Sequence, residues 1–214
     1  MIARRAPVSY AGSPRGAALE PCELCGAGIA GPCSHIVEVG VRGVLSACRP
    51  CAALFARGDA ARFRTVPDRV LADPGFAMTA LRWTRLGMPG IAFCYRDSTA
   101  IDDAMGYLAP TTPAPTAAAA PAGAPGIADA ELAAPVWQAV AAGTQLAAQL
   151  ASDVEALLVR THLDARVTCY LVPISSAYDL AARLRRCDRG VSARAEAACV
   201  IAGFFAELDR RARR

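Results

Sequence analysis

The sequence predicts an α+β fold: a small N-terminal zinc-ribbon-like module, then a domain with a roughly four-stranded antiparallel sheet covered by helices. Three observations carry this expectation. Two C-x-x-C pairs, Cys22-Glu23-Leu24-Cys25 and Cys48-Arg49-Pro50-Cys51, bracket two short apolar runs. Further on, strand-like runs occur in neighbouring pairs, 90–96 with 104–108 and 156–159 with 167–172. Toward the C-terminus, residues 175–187 and 194–208 carry apolar positions at helical spacing.

Taken in order, residues 1–19 hold Arg4, Arg5, Pro7, Gly12, Pro14 and Gly16 without periodicity, which predicts a disordered lead-in. Residues 20–66 form the metal module. Its apolar runs 36–39 and 43–47 turn around Gly40 as a hairpin that delivers one cysteine pair to the other, and 52–63 has the spacing of a short helix. The α+β domain spans 67–214. Pro74-Gly75 breaks the chain, and 76–86 reads as a helix ended by Gly87 and Pro89. Strand 90–96 pairs with 104–108 across an acidic connection. The tract PTTPAPTAAAAPAGAPG, residues 110–126, is a low-complexity insertion with too little apolar surface to offset its chain entropy. Pro135 suits the first turn of a helix that runs to Gly143. Ser152-Asp153-Val154-Glu155 resembles a capping box, but the apolar runs on either side of His162-Leu163-Asp164-Ala165 favour a hairpin there. Tyr178, Leu184, Ile201, Phe204 and Leu208 should face inward from the last two helices.

Composition removes several functions. All 23 basic residues are arginine, and without lysine there is no Walker phosphate loop, no Schiff base and no kinase ion pair. Only His35 and His162 offer imidazoles, and no Ser/His/Asp, Cys/His or paired-carboxylate spacing is legible, so no catalytic residue is assigned and a non-enzymatic role is expected. Hydrophobic residues make up 54%, yet alanine supplies much of this, so the core rests on few bulky groups. The formal charge of +4 hides a segregation: 97–155 is acidic without a basic residue, and 160–214 is rich in arginine. No secretory signal and no membrane span are read from the chain, and nine cysteines then suit reduced thiols and metal ligands in the cytoplasm.

Gly26-Ala27-Gly28-Ile29-Ala30-Gly31 is a literal G-x-G-x-x-G. A dinucleotide site needs a buried strand before it and a helix beginning within it; Cys22 to Cys25 is too short and polar for the first, and Gly31-Pro32 prevents the second. The metal reading is better founded. Cys22, Cys25, Cys48 and Cys51 supply four thiolates, and a hairpin between the pairs brings them around one tetrahedral ion, with Gly26 letting the backbone curl so that amides point at sulfur. Cys33 and His35 lie inside the loop as alternative ligands, while Cys94, Cys169, Cys187 and Cys199 fall on apolar faces as core residues. Zinc is expected and iron is the alternative; the absence of aromatics between the pairs favours zinc. A closed site leaves no position for water, which argues against hydrolysis at the metal.

With PCELCG, CRPCAALF, VPDRV, DVEALLV and YLVPIS in this order, the chain resembles, from about Pro21 to Leu208, a bacterial family defined as a domain of unknown function, whose genes often sit near those of nickel-iron hydrogenases. Cys22, Cys25, Cys48 and Cys51 match its cysteine positions and His35 a histidine often seen there. The chain departs from it at the longer 110–126 tract and at Cys187-Asp188-Arg189-Gly190-Val191-Ser192, where relatives carry a tryptophan and a Gly/Ser-rich turn. The resemblance implies an accessory protein with a structural four-cysteine zinc site and a protein partner, hydrogenase components among them. Two alternatives stand beside it: a rubredoxin-like mononuclear-iron electron carrier, and a nucleic-acid-binding ribbon using Arg42, Arg49, Arg57, Arg62 and Arg64 with Phe55 and Phe63.

Overall fold

The computed structural model describes residues 19–41, 43–56, 62–100, 105–110, 127–187 and 193–213. The expected lead-in and low-complexity insertion, apart from Leu19 and Pro110, lie outside the described residues, as do Arg42, Arg57 and most of the 187–192 turn.

The architecture is α+β, with two antiparallel sheets and five α-helices among the described residues. The smaller sheet has the order β2-β1-β3, from β1 (Ser34–Glu38), β2 (Gly43–Ala47) and β3 (Phe63–Thr65), with helix α1 (Arg49–Leu54) leaving the end of β2. The larger sheet runs β4-β9-β8-β5-β6-β7, from β4 (Leu71–Asp73), β5 (Ile91–Arg96), β6 (Met105–Pro110), β7 (Ile127–Leu132), β8 (Glu155–Thr161) and β9 (Val167–Pro173). Helices α2 (Ala80–Arg85) and α3 (Ala134–Ala141) cover one face. Helices α4 (Ser175–Arg185) and α5 (Ala193–Ala212) cover the other.

Both faces of the larger sheet are buried, and side-chain alternation divides its strands between two cores. Phe93, Tyr95, Leu158, Tyr170 and Val172 pack with Leu180, Phe204, Phe205 and Leu208 of the C-terminal helices. Ala92, Cys94, Leu157, Val159, Cys169 and Leu171 pack with Trp83, Val140 and Leu146. The hairpin 156–172 is thus confirmed over the capping box, with Glu155 paired to Pro173 and Thr161 to Val167.

The sheet has six strands, where about four were expected. The two missed strands are its edges. β4 is three residues long and stops at Pro74, too short to show a period. β7, Ile-Ala-Asp-Ala-Glu-Leu, is built from poor strand formers and is held by partners instead: it pairs with β6 along six residues, and the Tyr95 hydroxyl donates to Asp129 Oδ1 at 2.8 Å. Tyr95 reaches Asp129 over Gly106, where a side chain would collide with the ring.

Two helices are also shorter than expected. The 52–63 helix begins at Arg49 and ends at Leu54, and Phe63 opens β3 opposite Glu38. Pro50 in the first turn starts it early, and Phe63 is drawn to the sheet by its ring contact with Phe55, 5.5 Å between centroids. The 76–86 helix begins only at Ala80, because the Thr79 hydroxyl caps it by accepting from the Arg82 N–H.

Strand β1 touches both sheets' interiors. Ile36 is buried in the cysteine core with Cys22, Ile29, Ala47 and Ala52, while its neighbour Val37 is buried in the large core. Polar contacts reinforce this junction. Arg64 on β3 pairs with Asp153 at 3.0 Å and donates to the Ser152 carbonyl. Asp153 holds a left-handed φ of 67°, fixed by hydrogen bonds from the Ser98 N–H and hydroxyl. The acidic 97–155 segment meets Arg64 at Asp153 and Arg69 at Glu155.

Candidate metal centre

The first cysteine pair is a tight turn. Gly26 N–H donates to the Cys22 carbonyl at 2.8 Å, the Cys22 N–H to Ala27, and Gly26 takes a φ of +75°, which a side chain would resist. Leu19 to Gly31 thus forms a loop rather than a strand and helix, with one bridge between Pro21 and Gly28, so the dinucleotide reading has no scaffold. The second pair straddles the start of α1: Cys48 is its N-cap residue and Cys51 lies in its first turn.

Glu23 and Ser46 bring the pairs together, and spacing alone did not single them out. The Glu23 N–H donates to the Ser46 carbonyl at 2.9 Å, and the Ser46 N–H donates back to Glu23 Oε2 at 2.5 Å. The Ser46 hydroxyl donates to Glu20 Oε1 at 3.2 Å. Ser46, on β2 two residues before Cys48, is buried, so the first turn is clamped to the strand that leads into the second.

The outcome is a four-sulfur cluster: Sγ of Cys22, Cys25, Cys48 and Cys51 all lie within 4.8 Å of one another. A tetrahedron with metal–sulfur bonds of ~2.3 Å has edges of about 3.8 Å. The Cys25–Cys48 separation is 3.8 Å. Cys22 is buried and Cys25 exposed, so the cluster opens to solvent on one side.

Backbone polarity suits anionic sulfur. The Cys48 N–H bonded to Cys22 pulls this thiol down to about 6 against burial, and the N–H groups of Cys25 and Leu24 add to the effect. Cys51 is pushed up to about 12, because the sulfurs of Cys48 and Cys25 hold its proton. Four thiols at this spacing cannot all ionise on their own; a divalent cation removes the conflict.

The alternative ligands lie elsewhere. Cys33 Sγ donates to the Ser34 carbonyl at 3.2 Å, and neither Cys33 nor His35 belongs to the four-sulfur cluster. Of the cysteines assigned to the core, Cys94 and Cys169 are buried and their thiols are pushed up by burial, Cys94 to about 12. Cys187 is only half-buried and Cys199 is exposed, a correction to that expectation: Cys199 lies on the outward side of α5, whose buried residues are Phe204, Phe205 and Leu208. Of the arginines grouped as a nucleic-acid surface, Arg62 is paired with Glu38 at 2.8 Å and Arg64 with Asp153. Phe55 and Phe63 pack against the cysteine core, so aromatic rings reach it from outside the loop between the pairs. Among the described residues no helix is long and apolar enough to cross a membrane.

Among known proteins, the sequence model of a family of unknown function (DUF5947) matches residues 21–212 of the chain. No curated protein and no solved structure matches it.

Proposed function

The chain belongs to this DUF5947 family of unknown function, and we propose that it is a non-enzymatic accessory protein in which Cys22, Cys25, Cys48 and Cys51 hold one structural zinc ion. The observation that carries the reading is the sulfur geometry, a 3.8 Å edge within a group no wider than 4.8 Å, matching a tetrahedral cage. Bound there, the ion supplies a cross-link between residues far apart in sequence. The chain's own residues do the rest: amides at Cys22 offset thiolate charge, and Glu23 and Ser46 hold the two pairs in register. Among the described residues, the cysteine core has only Ile29 and Ile36 as large buried aliphatic residues, so folding of the module depends on the cage.

The partner proposed is another protein, with nickel-iron hydrogenase components the first to test, as the resemblance of the motifs implies. Elemental analysis of purified protein, before and after substitution of Cys22, tests the site: one equivalent of zinc, lost in Cys22→Ser, is expected, and a metal-free folded protein refutes it. The second reading is a mononuclear iron carrier, favoured by Phe55 and Phe63 on the cysteine core and by exposed Cys25, which sets the centre at the surface for electron transfer. Visible absorption that bleaches with dithionite identifies iron and displaces the zinc reading.

A further inference from the structure

The two cysteines that the core leaves out share one groove. Cys187 and Cys199 both line a concavity of about 890 Å³ between α4 and α5, together with Arg183, Val200, Gly203 and Phe204. Cys199 is exposed and Cys187 half-buried, so a small reagent in the groove reaches both. The other thiols are engaged or closed off. Cys22, Cys25, Cys48 and Cys51 form the cage, Cys94 and Cys169 are buried, and Cys33 donates to the Ser34 carbonyl in the cysteine module.

The register of the helix pair brings these two thiols together. The Arg183 guanidinium lies 5.7 Å from the centroid of the Phe204 ring and pairs with Glu207 at 3.3 Å, which levels residue 183 of α4 with 204–207 of α5. Cys187 stands one turn further on, and the groove matches it with Cys199, Val200 and Gly203, about one turn earlier on α5. The helices are therefore antiparallel, and both thiols come to the same end of the groove. No heavy atom lies within 4 Å of where a side chain on Gly203 would begin, so the space beside them is open. Cys187 also follows the α4 C-cap residue, Arg186, where the chain has left the helix and its backbone can adjust to the Cα separation of about 4.4–6.8 Å that a disulfide requires.

Other uses of the groove have less support. Among the described residues, the cage is the group of three or more metal-ligating side chains close enough to hold an ion, and neither Cys187 nor Cys199 belongs to it. Asp179 and Glu207 both pair with Arg183, and Arg186 and Glu196 add one charge of each sign, so the groove has no strong pull on an ionic ligand. What it offers is dithiol chemistry.

We propose that Cys187 and Cys199 form a thiol–disulfide exchange site whose substrate is a low-molecular-weight disulfide, RSSR. The exposed Cys199 thiolate attacks one sulfur of RSSR, forming the mixed disulfide Cys199–S–SR and releasing RS⁻. The Cys187 thiolate then attacks Cys199 Sγ, closing the Cys187–Cys199 bond and releasing the second RS⁻. The two thiols lose two electrons and two protons, RSSR is reduced, and two RSH leave. The bond joins α4 to α5, the two helices that cover one face of the larger sheet.

The test uses the full chain, metal content verified, incubated with glutathione disulfide, quenched with N-ethylmaleimide and digested with trypsin without reductant. Cleavage after arginine places Cys187 in peptide 187–189 and Cys199 in peptide 195–210, so mass spectrometry reads their linkage directly. The two peptides are expected joined, two hydrogens lighter than their sum, in at least about tenfold excess over the Cys199–glutathione adduct, because closure within one chain outruns exchange with free thiol. Dithiothreitol separates them. In Cys187→Ser the adduct on Cys199 rises about tenfold, since nothing displaces the glutathione. That variant folds, because Cys187 Sγ meets the Arg183 carbonyl, which a serine hydroxyl also reaches. No linkage, accumulation of the Cys199 adduct in the unsubstituted chain, or a yield that rises with protein concentration and so marks a bond between chains, overturns the proposal. The site does not rest on the zinc reading, and metal measured in the same samples keeps the two apart: a linked chain without zinc refutes the cage alone, and a zinc-loaded chain without linkage refutes the exchange site alone.

Discussion

Replacing Arg69 by alanine strands a carboxylate in the interior. Glu155, at the start of β8, is 0% exposed, and Arg69 meets it with two parallel bonds, Nε to Oε1 at 2.6 Å and Nη2 to Oε2 at 2.8 Å. The Ala151 N–H donates to the same carboxylate at 3.0 Å, and Arg69 Nη2 donates also to the Gln149 carbonyl at 2.9 Å. The pairing raises the proton affinity of Arg69, chiefly through its bond to Glu155. Removing one member of a buried pair costs about 3–5 kcal/mol, because the remaining charge loses its partner without regaining water. Arg69 is 43% exposed, so water reaches part of the pair and the lower end, about 3 kcal/mol, is the expected loss. For a chain of this size that is a fall of roughly 6–12 °C in melting temperature. Urea denaturation followed by tryptophan fluorescence measures it, since Trp83 lies in the neighbouring core. The double variant Arg69→Met/Glu155→Leu should recover most of the loss, because neither charge remains to be desolvated. A loss under about 1 kcal/mol in Arg69→Ala, or no recovery in the double variant, refutes the claim that an unpaired buried charge is the cause.

Three further outcomes follow from the same structure. Glu23→Ala removes the clamp on the Ser46 N–H without touching a sulfur, and competition with a chromophoric chelator should show zinc affinity reduced about tenfold; unchanged affinity means the two cysteine pairs need no clamp. His35 and His162 both have their pKa lowered from 6.5 by burial, with Arg160 and Arg166 adding to the effect at His162. Their contribution to stability is present above 6.5 and is lost as pH falls through the depressed folded values, and NMR titration finding either midpoint above 6.5 contradicts the burial. Asp153→Ala removes the acceptor of Arg64 and Ser98 and places alanine at φ 67°; a stability loss of about 3 kcal/mol is expected, of which Asp153→Asn, tolerant of the left-handed backbone, regains the conformational part.

The parts legible in the sequence are those whose chemistry repeats at short range. The four cysteines declare their grouping by spacing, and the hairpins announce themselves because Ile36, Leu157 and Leu171 sit in runs of strand formers bounded by turns. The edge strands are silent for the opposite reason. Ala128, Asp129 and Glu131 become strand because Tyr107 and Leu108 lie alongside, a fact of topology that no local pattern contains. Phe63 misled in the same way, since its helical spacing from Ala52 is real but its ring finds Phe55 from the sheet. At the site, Glu23 and Ser46 are invisible until the hairpin sets them opposite each other.

Strand β1 is a party wall: consecutive residues, Ile36 and Val37, furnish two different interiors. A single peptide unit separates the side chain that packs near the sulfurs from the one that packs against the α4 and α5 side of the larger sheet. The cysteine core and the interior of the larger domain therefore draw on one strand.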